Sequence, residues 1–405
     1  MPRIDLSSSP VLGAAQSAMK LIRDAGFEAR LVGGSVRNLL FGTSVSDADL
    51  ATTSRPDETL RIGKDAGLTV IPTGVDHGTV TWLIDHVPVE ITTLRADIET
   101  DGRHAVVRFT ESWEEDAQRR DFTMNALYAD AEGHVFDPTG EGLRDLEARR
   151  VRFIGEARER IREDGLRMLR FFRFFAAYGD GPADKAAVQA ISTSLEMLQN
   201  LSGERIAAEL RKLLMAPRLP EALQAMEECG LALVLLPGPC DCKALETLVA
   251  LEGYNHLPPS LDARFAALLG REFEASIQRL RLSNQEARAI RLLNQLAGES
   301  VTAGLARRTH LYHHGADAFR GASLLAKARG EDRDLALDLE AAADWSPHTL
   351  PIDGRDVIGS GIAGGPKVGH FLAAIESWWI EGEFQADRQA CLDHLTKTIE
   401  EEGSP

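Results

Sequence analysis

The chain has few cysteines and no long apolar segment. Its four cysteines, Cys229, Cys240, Cys242 and Cys391, are too scattered for a disulfide framework, and reduced thiols are typical of a cytoplasmic protein. The sequence contains no apolar run of about eighteen residues, the length that predicts a membrane span. Its first residues also lack the basic start, apolar centre and cleavage site of a secretory signal. We therefore expect a cytoplasmic protein without a membrane partner, and nothing in the sequence indicates a protein partner.

Positive charge is also scarce overall. The chain has 45 Lys and Arg residues against 62 Asp and Glu residues, a formal net charge of −17, which argues against a protein that coats nucleic acid indiscriminately. Between Arg144 and Phe175, however, there are ten arginines and no lysine. The interspersed acids allow a solvated, salt-bridged helix. The use of arginine alone favours a local binding face, because the planar guanidinium suits phosphates and base edges better than lysine does.

The periodic segments divide the chain into two structural parts. Up to about Asp137, a helical pattern in AAQSAMKLIRDAG is followed by β-rich runs that include SDADLAT, TVTWLID and VPVEITTL. The last two meet at the polar pair Asp85–His86, which predicts an antiparallel hairpin. The segment DIETDGRHAVVRFTESWEED predicts a long polar loop. After about Leu143 only helical spacing remains, so we predict an α+β fold, with a small mixed sheet followed by an all-helical part.

Two neighbouring acids in SVSDADLAT are the first candidate site. If this segment is a strand, Asp47 and Asp49 point to the same face, roughly 7 Å apart along the chain. Unpaired, they would raise each other's pKa, and one or two Mg²⁺ ions would remove that cost. A third acid on a neighbouring strand would strengthen this site, and Glu90 is the candidate because it interrupts the apolar strand VPVEITTL, where a buried acid is otherwise costly. We therefore predict Asp47 and Asp49 as magnesium ligands, with Glu90 as a third catalytic acid.

The segment that precedes these acids has the composition of a phosphate-binding turn. Gly33 and Gly34 allow close approach of a ligand to the backbone, and Ser35 is placed to cap the helix that VRNLLFG begins. Free N–H groups at a helix N-terminus attract anions, and Arg37 adds a positive charge in the first turn. The predicted order is strand, glycine turn, short helix and acidic strand.

With these residues the sequence resembles the class II tRNA nucleotidyltransferases, or CCA-adding enzymes, and the related bacterial poly(A) polymerases. GGSVRNLLFGTSVSDADLAT resembles the family's first motif, and RRDFTMNALYAD resembles the second, which contacts the sugar and phosphates of the nucleotide. IREDGLRMLRFFRF resembles the motif that selects the base, and SGERIAAELRKLL a helical motif that looks structural. Past Leu214 the similarity is weaker.

The resemblance implies a fold, an activity and a set of partners. It implies a nucleotidyltransferase catalytic head over residues 1–142, a helical neck with base selection over 143–215, and a helical body and tail that bind tRNA over 216–405. The implied reaction is template-independent addition of C, C and A to the tRNA 3′ end. In it the terminal ribose hydroxyl attacks the α-phosphate of CTP or ATP, and Mg²⁺ ions at Asp47 and Asp49 assist.

The base-selecting motif has a physical interpretation. In an α-helix, Glu163 or Asp164 lies on one side with Arg167. The arginine can donate to the acceptors of cytosine while Asp164 accepts from its amino group, and adenine needs only a small adjustment. Uracil and guanine would leave groups unpaired, at roughly 1–3 kcal/mol each. An ordinary intrahelical salt bridge is the alternative.

The resemblance adds further nucleotide-binding residues. From the second motif these are Arg120, Asp121 and Asn125, and from the third they are Arg170 and Arg173. Spacing supports Arg170 beside Arg167, but it places Arg173 half a turn out of phase with Asp164. Gly165 loosens this part of the helix by up to ~1 kcal/mol.

Three alternatives stay open at this point. A poly(A) polymerase shares the motifs, but the acidic end KTIEEEGSP favours tRNA over a generic RNA. An enzyme that adds only CC or only A is disfavoured by the long segment that contains Asp101, Gly102 and Arg103. A degenerate, non-catalytic RNA-binding module would tolerate loss of a carboxylate, yet both are present.

Overall fold

The computed structural model describes residues 2–100, 105–301 and 304–402. Its backbone forms two compact units. The first comprises the residues up to Pro239 together with Arg279–Arg281, and the second comprises Cys240–Gln278 with the residues from Leu282 onward. All strands of the described chain lie in the first unit, and the described part of the second unit is helical. No described helix has the length and apolar character needed to cross a membrane.

A mixed seven-stranded sheet is the centre of the first unit. Its strands lie in the order β3-β4-β5-β2-β1-β8-β9, and β2 and β5 form its parallel pair. A separate two-stranded antiparallel sheet pairs β6 with β7. The strands are β1 (Ala29–Val32), β2 (Asp49–Thr52), β3 (Thr69–Gly74), β4 (Thr79–Ile84), β5 (Val87–Thr93), β6 (Arg95–Thr100), β7 (Ala105–Phe109), β8 (Tyr128–Ala129) and β9 (Val135–Phe136).

The predicted hairpin at Asp85–His86 is confirmed. Strands β4 and β5 are antiparallel, and Ile84 pairs with Val87 across a two-residue turn. Asp85 and His86 have φ angles of 49° and 66°, as a tight hairpin turn of the mirror-image type requires. This hairpin sets the register of β5, which places Glu90 opposite Asp49 on β2.

Two parts of the strand prediction are wrong. The segment SDADLAT forms a strand only from Asp49, so Asp47 lies outside β2. The segment predicted as a long polar loop contributes to β6, forms β7 and then forms a helix from Trp113. Its valine-rich centre is β-prone, and pairing with β6 overrides the polar flanks. Asp101, Gly102 and Arg103 lie outside the described residues.

In the first unit, helices α1 to α4 alternate with the strands, and helices α5 to α11 follow the last strand. They are α1 (Pro10–Asp24), α2 (Gly34–Leu40), α3 (Pro56–Asp65), α4 (Trp113–Gln118), α5 (Gly142–Glu147), α6 (Ala157–Glu163), α7 (Arg167–Tyr178), α8 (Lys185–Ser192), α9 (Gly203–Leu214), α10 (Leu219–Glu228) and α11 (Leu231–Val234). Short 3₁₀ turns occur at Val75–His77, Thr123–Asn125 and Leu195–Asn200.

Aromatic packing joins α7 to the residues around the sheet. The ring of Phe122 lies 5.0 Å from the rings of both Phe153 and Phe174, and Phe153 stacks on Phe171 at 5.8 Å. All four side chains are buried. Because aromatic pairs at these distances add stabilisation beyond their buried area, they hold α7 firmly beside the sheet.

The described part of the second unit has apolar clusters, which include one around Phe371 and Trp379 and one around Phe319. Its helices are α12 (Cys242–Tyr254), α13 (Leu261–Leu269), α14 (Glu274–Leu280, which ends in the first unit), α15 (Asn284–Gly298), α16 (Gly304–Ala328), α17 (Leu335–Ala343), α18 (Gly354–Gly359), α19 (Pro366–Glu381) and α20 (Arg388–Glu402). Helix α16 is kinked at Gly315, which has a φ of 80°. The predicted all-helical second part is therefore confirmed for the described residues.

Candidate active site

The glycine turn brings the backbone close to an arginine. Gly33 has a φ of 67°, a conformation that L side chains rarely adopt. Its amide donates to the carbonyl oxygen of Leu127, and a Cβ added there would lie 3.4 Å from Nη1 of Arg120. Glycine at position 33 therefore leaves space beside the Arg120 guanidinium that a side chain at this position would reduce.

The predicted capping role of Ser35 is wrong. Helix α2 begins at Gly34 after Gly33, without a side-chain cap, so Ser35 lies inside the first turn. Its hydroxyl donates instead to the carbonyl oxygen of Asp47 at 3.1 Å. Ser35 thus ties α2 to the segment that carries the first acid.

Arg37 is buried between α2 and α7. Its guanidinium donates to the side-chain oxygens of Asn125 and Asn38 and, at 2.8 Å, to the hydroxyl of Tyr178. It also lies 4.1 Å from the centre of the Tyr178 ring. Burial lowers the pKa of Arg37 below its ordinary value, but an arginine keeps its charge in proteins. Arg37 is therefore a fixed positive charge.

Three carboxylates lie near one another around the start of β2. Asp49 begins β2, Glu90 is its register partner on β5, and Asp47 lies two residues earlier. Desolvation by the surrounding protein, together with the charges of Asp47 and Glu90, raises the pKa of Asp49, although its side chain remains accessible to solvent. Glu90 is exposed rather than buried, so the reasoning that singled it out is wrong although its position beside Asp49 is as predicted.

This arrangement fits a divalent cation. Asp49 carries a charge that its neighbours disfavour, and a cation would relieve it. Carboxylate oxygens are the ligands that Mg²⁺ prefers, and it commonly takes one or two of them beside water and substrate phosphate. In the described chain no group of three or more His, Cys, Asp or Glu side chains converges as a complete protein metal site.

A cleft of about 580 Å³ opens beside Asp49. Eight basic and three acidic side chains line it, against the negative charge of the whole chain. A second cavity of about 300 Å³ shares Gly33, Gly34 and Asp49 with it and extends to Glu90. The basic residues of the first cleft are Arg37, Arg119, Arg120, Arg167, Arg170, Arg173, Arg205 and Lys212.

A single buried acid holds two of these arginines. The side chain of Asp116 is 1% exposed and pairs with Arg119 at 2.8 Å and with Arg120 at 2.9 Å. It also accepts a hydrogen bond from the Tyr128 hydroxyl at 2.8 Å. Burial alone would raise the pKa of Asp116, but the two guanidinium groups and the phenol hold it well below its usual range. Asp116 therefore stays ionised.

The helix predicted to carry both Asp164 and Arg167 is broken between them. Helix α6 ends at Glu163, Asp164 is extended with φ −153° and ψ 107°, and α7 begins at Arg167. Gly165 lies at the break, where an added Cβ would come within 3.1 Å of Met197. The expected single-helix geometry is wrong because the chain turns at this glycine.

Because of this break, Asp164 and Arg167 do not pair with each other, and each has a different ion-pair partner. Arg167 pairs with Glu163 and donates to the carbonyl oxygens of Arg160 and Arg119. Asp164 pairs with Arg205 of α9 at 2.6 Å.

Arg170 and Arg173 both face the cleft. Arg170 pairs with buried Asp121, and Arg173 lies 2.8 Å from the buried carboxylate of Glu209. The charge of Arg170 and a hydrogen bond from Asn125 outweigh the effect of burial and lower the pKa of Asp121. The predicted separation of Arg173 from the site is wrong, because α7 starts anew at Arg167 and the phase counted from Asp164 does not apply.

The arginine-rich segment forms ion pairs, as its salt-bridged interpretation predicts, and its role as a binding face stays a prediction. Six of its ten arginines form ion pairs within the described chain. Three of those six also line the cleft.

Sequence reasoning missed several residues of the site. They are Asp116, Tyr178, Arg205, Glu209 and Lys212. Tyr178, Arg205 and Glu209 have partners that are distant in the chain. The charged spacing of Arg205 and Glu209, four residues apart on an amphipathic helix, was the available signal.

Comparison with known proteins finds two regions of the chain that match family models. Residues 29–152 match the family described as "Poly A polymerase head domain", and residues 184–242 match the one described as "Probable RNA and SrmB- binding site of polymerase A". The first region contains the glycine turn and all three acids.

Similar proteins extend over most of the chain. The CCA-adding enzyme of Streptococcus pyogenes serotype M4 is 34% identical over 399 residues, covering 94% of this chain and 93% of its own. The mitochondrial CCA tRNA nucleotidyltransferase 1 of Mus musculus is 30% identical, with 95% and 90% covered. A crystal structure of the Bacillus stearothermophilus CCA-adding enzyme in complex with CTP has a TM-score of 0.78 at 28% identity, covering 98% of this chain and 100% of that one.

Proposed function

The chain belongs to the family of CCA-adding tRNA nucleotidyltransferases, and we propose that it adds C, C and A from CTP and ATP to the 3′ end of tRNA without a nucleic-acid template. The observation that carries this proposal is the cleft of eight basic side chains that opens directly beside Asp49. A triphosphate is the ligand that such a concentration of fixed positive charge attracts.

Most of these cations are held in place before a ligand arrives. Arg119 and Arg120 are held by Asp116, Arg170 by Asp121 and Arg173 by Glu209. Guanidinium groups held in this way lose little side-chain entropy when they bind a phosphate. The residues predicted to bind nucleotide, which include Gly33, Gly34, Arg37 and Asn125, remain part of this proposal.

We assign the chemistry to the acids beside the cleft. Asp47 and Asp49 would hold Mg²⁺, which when bound lowers the barrier to attack of the tRNA 3′ hydroxyl on the α-phosphate. Asp49 contributes a negative charge at the edge shared by both cavities. Glu90 keeps that edge negative from the neighbouring strand. Arg120, which lies next to the glycine turn, binds the phosphates of the departing pyrophosphate.

Base choice is assigned to the broken helix. The Arg167 guanidinium has five N–H donors, and three are used by Glu163, the Arg160 carbonyl and the Arg119 carbonyl. One Nη2–H and the Nε–H have no partner in the described chain. Two donors are what the two acceptors on the pairing edge of cytosine require, and Asp164 supplies the acceptor for its amino group.

The reaction itself tests the proposal. The protein is incubated with Mg²⁺ and a tRNA that ends at the discriminator base, first with each labelled nucleotide alone and then with CTP and ATP together. We expect two C residues from CTP alone and a single A only after them. Long A tails would indicate poly(A) polymerase, addition that stops at CC or needs a preformed CC would indicate a partial enzyme, and no incorporation would indicate a binding module.

The domain boundaries and the cellular location are two further predictions of this proposal. The head, neck and body with tail would correspond to residues 1–142, 143–215 and 216–405, and limited proteolysis with mass spectrometry of the fragments tests these boundaries. A cytoplasmic location is tested by fractionation of the native cells.

A further inference from the structure

Two charged side chains of helix α9 contact the base-selecting motif. Arg205 pairs with Asp164 at 2.6 Å, and one turn later Glu209 lies beside Arg173 and, at 3.5 Å, beside Arg170. Residues four apart lie on the same face of a helix. The face of α9 that carries Arg205 and Glu209 therefore lies beside the first turns of α7. Nothing in the sequence resemblance gives this helix more than a structural role.

Asp164 depends on this helix because its own backbone is not helical. It lies in the extended turn between α6 and α7, next to Gly165. Its Oδ1 accepts a hydrogen bond from the amide of Leu166 at 3.1 Å, and its Oδ2 accepts one from Nη2 of Arg205 at 2.6 Å. These two bonds hold the two oxygens from opposite ends of the carboxylate and leave lone pairs on each oxygen for a ligand.

Loss of the Arg205 bond would release one of these oxygens. Arg167 and Arg170 line the same cleft, so a released Asp164 carboxylate has other cations to turn toward. A carboxylate that swings toward Arg167 would occupy the donors that we assign to cytosine. The ion pair is partly exposed, with 33% of the Arg205 side chain and 24% of the Asp164 side chain accessible. Orientation of Asp164, rather than global stability, is therefore what the pair can control.

We propose that Arg205 is a positioning residue for nucleotide choice, which it controls by fixing the orientation of Asp164. This inference rests on the proposed function. Arg205 does not have to touch the base itself, because its effect passes through the carboxylate that accepts from the amino group. Cytosine carries that amino group and uracil carries a carbonyl in its place, so the ratio of CTP to UTP use reports on the orientation of Asp164.

The experiment measures kcat/KM for CTP and for UTP on a tRNA that ends at the discriminator base. We expect Arg205→Met to lower the CTP/UTP ratio at least tenfold, which corresponds to about 1.4 kcal/mol. Arg205→Lys, which can keep the ion pair, restores the ratio to within about threefold of the wild type. Because both nucleotides are measured on the same preparation, a partly unfolded variant gives the same ratio. Arg211→Met on the same helix is the matched control, since Arg211 does not line the cleft, and it leaves the ratio unchanged.

A double substitution separates action through Asp164 from an independent effect. Asp164→Asn alone lowers the ratio, and Arg205→Met added to it causes no further loss. An unchanged ratio in Arg205→Met, or a further loss in the double variant, would overturn the inference and leave the proposed function intact. A wild-type protein that incorporates neither nucleotide, or does not distinguish them, would instead overturn the proposed function.

Discussion

Replacement of Asp116 with Asn tests how the cations of the cleft are held. The substitution keeps the shape of the side chain but removes the charge that pairs with Arg119 and Arg120. Removing one partner of a buried ion pair costs about 3–5 kcal/mol, because the remaining charge is left buried and unpaired. We expect a loss of this size in the free energy of unfolding of the first unit at pH 7. We also expect CTP to bind at least about tenfold more weakly, because Arg120 is no longer directed toward Asp49.

The pH dependence of this loss follows from the lowered pKa of Asp116. A carboxylate whose pKa is lower in the folded protein stabilises it fully above the unfolded pKa of about 3.9. That contribution is lost as the pH falls below this value toward the folded pKa. The difference between wild type and Asp116→Asn is therefore complete at pH 7 and becomes smaller below about pH 4.

The measurement must report on the first unit, since a chain with two compact units need not unfold in one step. Hydrogen exchange of peptides that cover residues 113–130, followed in increasing urea, gives the local free energy of opening. CTP affinity is measured on the same preparations by calorimetry.

Glu115→Gln is the matched control, because Glu115 is the adjacent acid on α4, is exposed and pairs with Arg108 at the surface. Surface pairs contribute little, so this variant stays close to wild type. A loss of less than about 1 kcal/mol in Asp116→Asn, together with unchanged CTP affinity, would refute this role of Asp116.

Three further substitutions test other parts of the site. Glu90→Gln removes one of the charges that raise the pKa of Asp49, so the metal-free protein should show a lower Asp49 pKa in a carboxyl NMR titration; an unchanged value would contradict the assigned proximity. Arg167→Ala should reduce discrimination between CTP and UTP by about tenfold or more with little change in tRNA affinity measured by filter binding, and unchanged discrimination would exclude it as a base-reading residue. Gly33→Ala introduces a side chain at a φ of 67° beside Arg120, which should cost about 1–2 kcal/mol of stability and raise the KM for CTP; a KM equal to that of wild type would show that the turn does not approach the phosphates.

Local patterns predicted the fold where neighbouring residues decide it. The hairpin at Asp85–His86 and the change to an all-helical chain were predicted because alternation, turn residues and helical spacing are local features. The pairing of Glu90 with Asp49 was also reached, although through a burial argument that the exposed Glu90 contradicts. The segment after β5 was predicted incorrectly because pairing between β6 and β7, a tertiary effect, overrides its polar composition.

The candidate site was less predictable because its geometry comes from contacts between distant segments. The low helix propensity of glycine makes a break at Gly165 predictable from the sequence. Only the fold shows that Asp164 then pairs with Arg205, 41 residues later. Asp116 gave no signal in the sequence, since an acid before two arginines suggests an ordinary surface pair. Burial strengthens the ion pairs of Asp116 with Arg119 and Arg120, and that burial depends on how the whole sheet packs.

The central claim is that Asp49, with Asp47, binds the divalent cation required for nucleotide transfer. The most direct measurement compares wild type with Asp49→Asn for incorporation of labelled CTP into a tRNA that ends at the discriminator base, with tRNA affinity measured in parallel. We predict that the wild type adds two C residues and the variant none, with tRNA affinity within about twofold of wild type. Incorporation by Asp49→Asn at a rate near that of the wild type would contradict this claim.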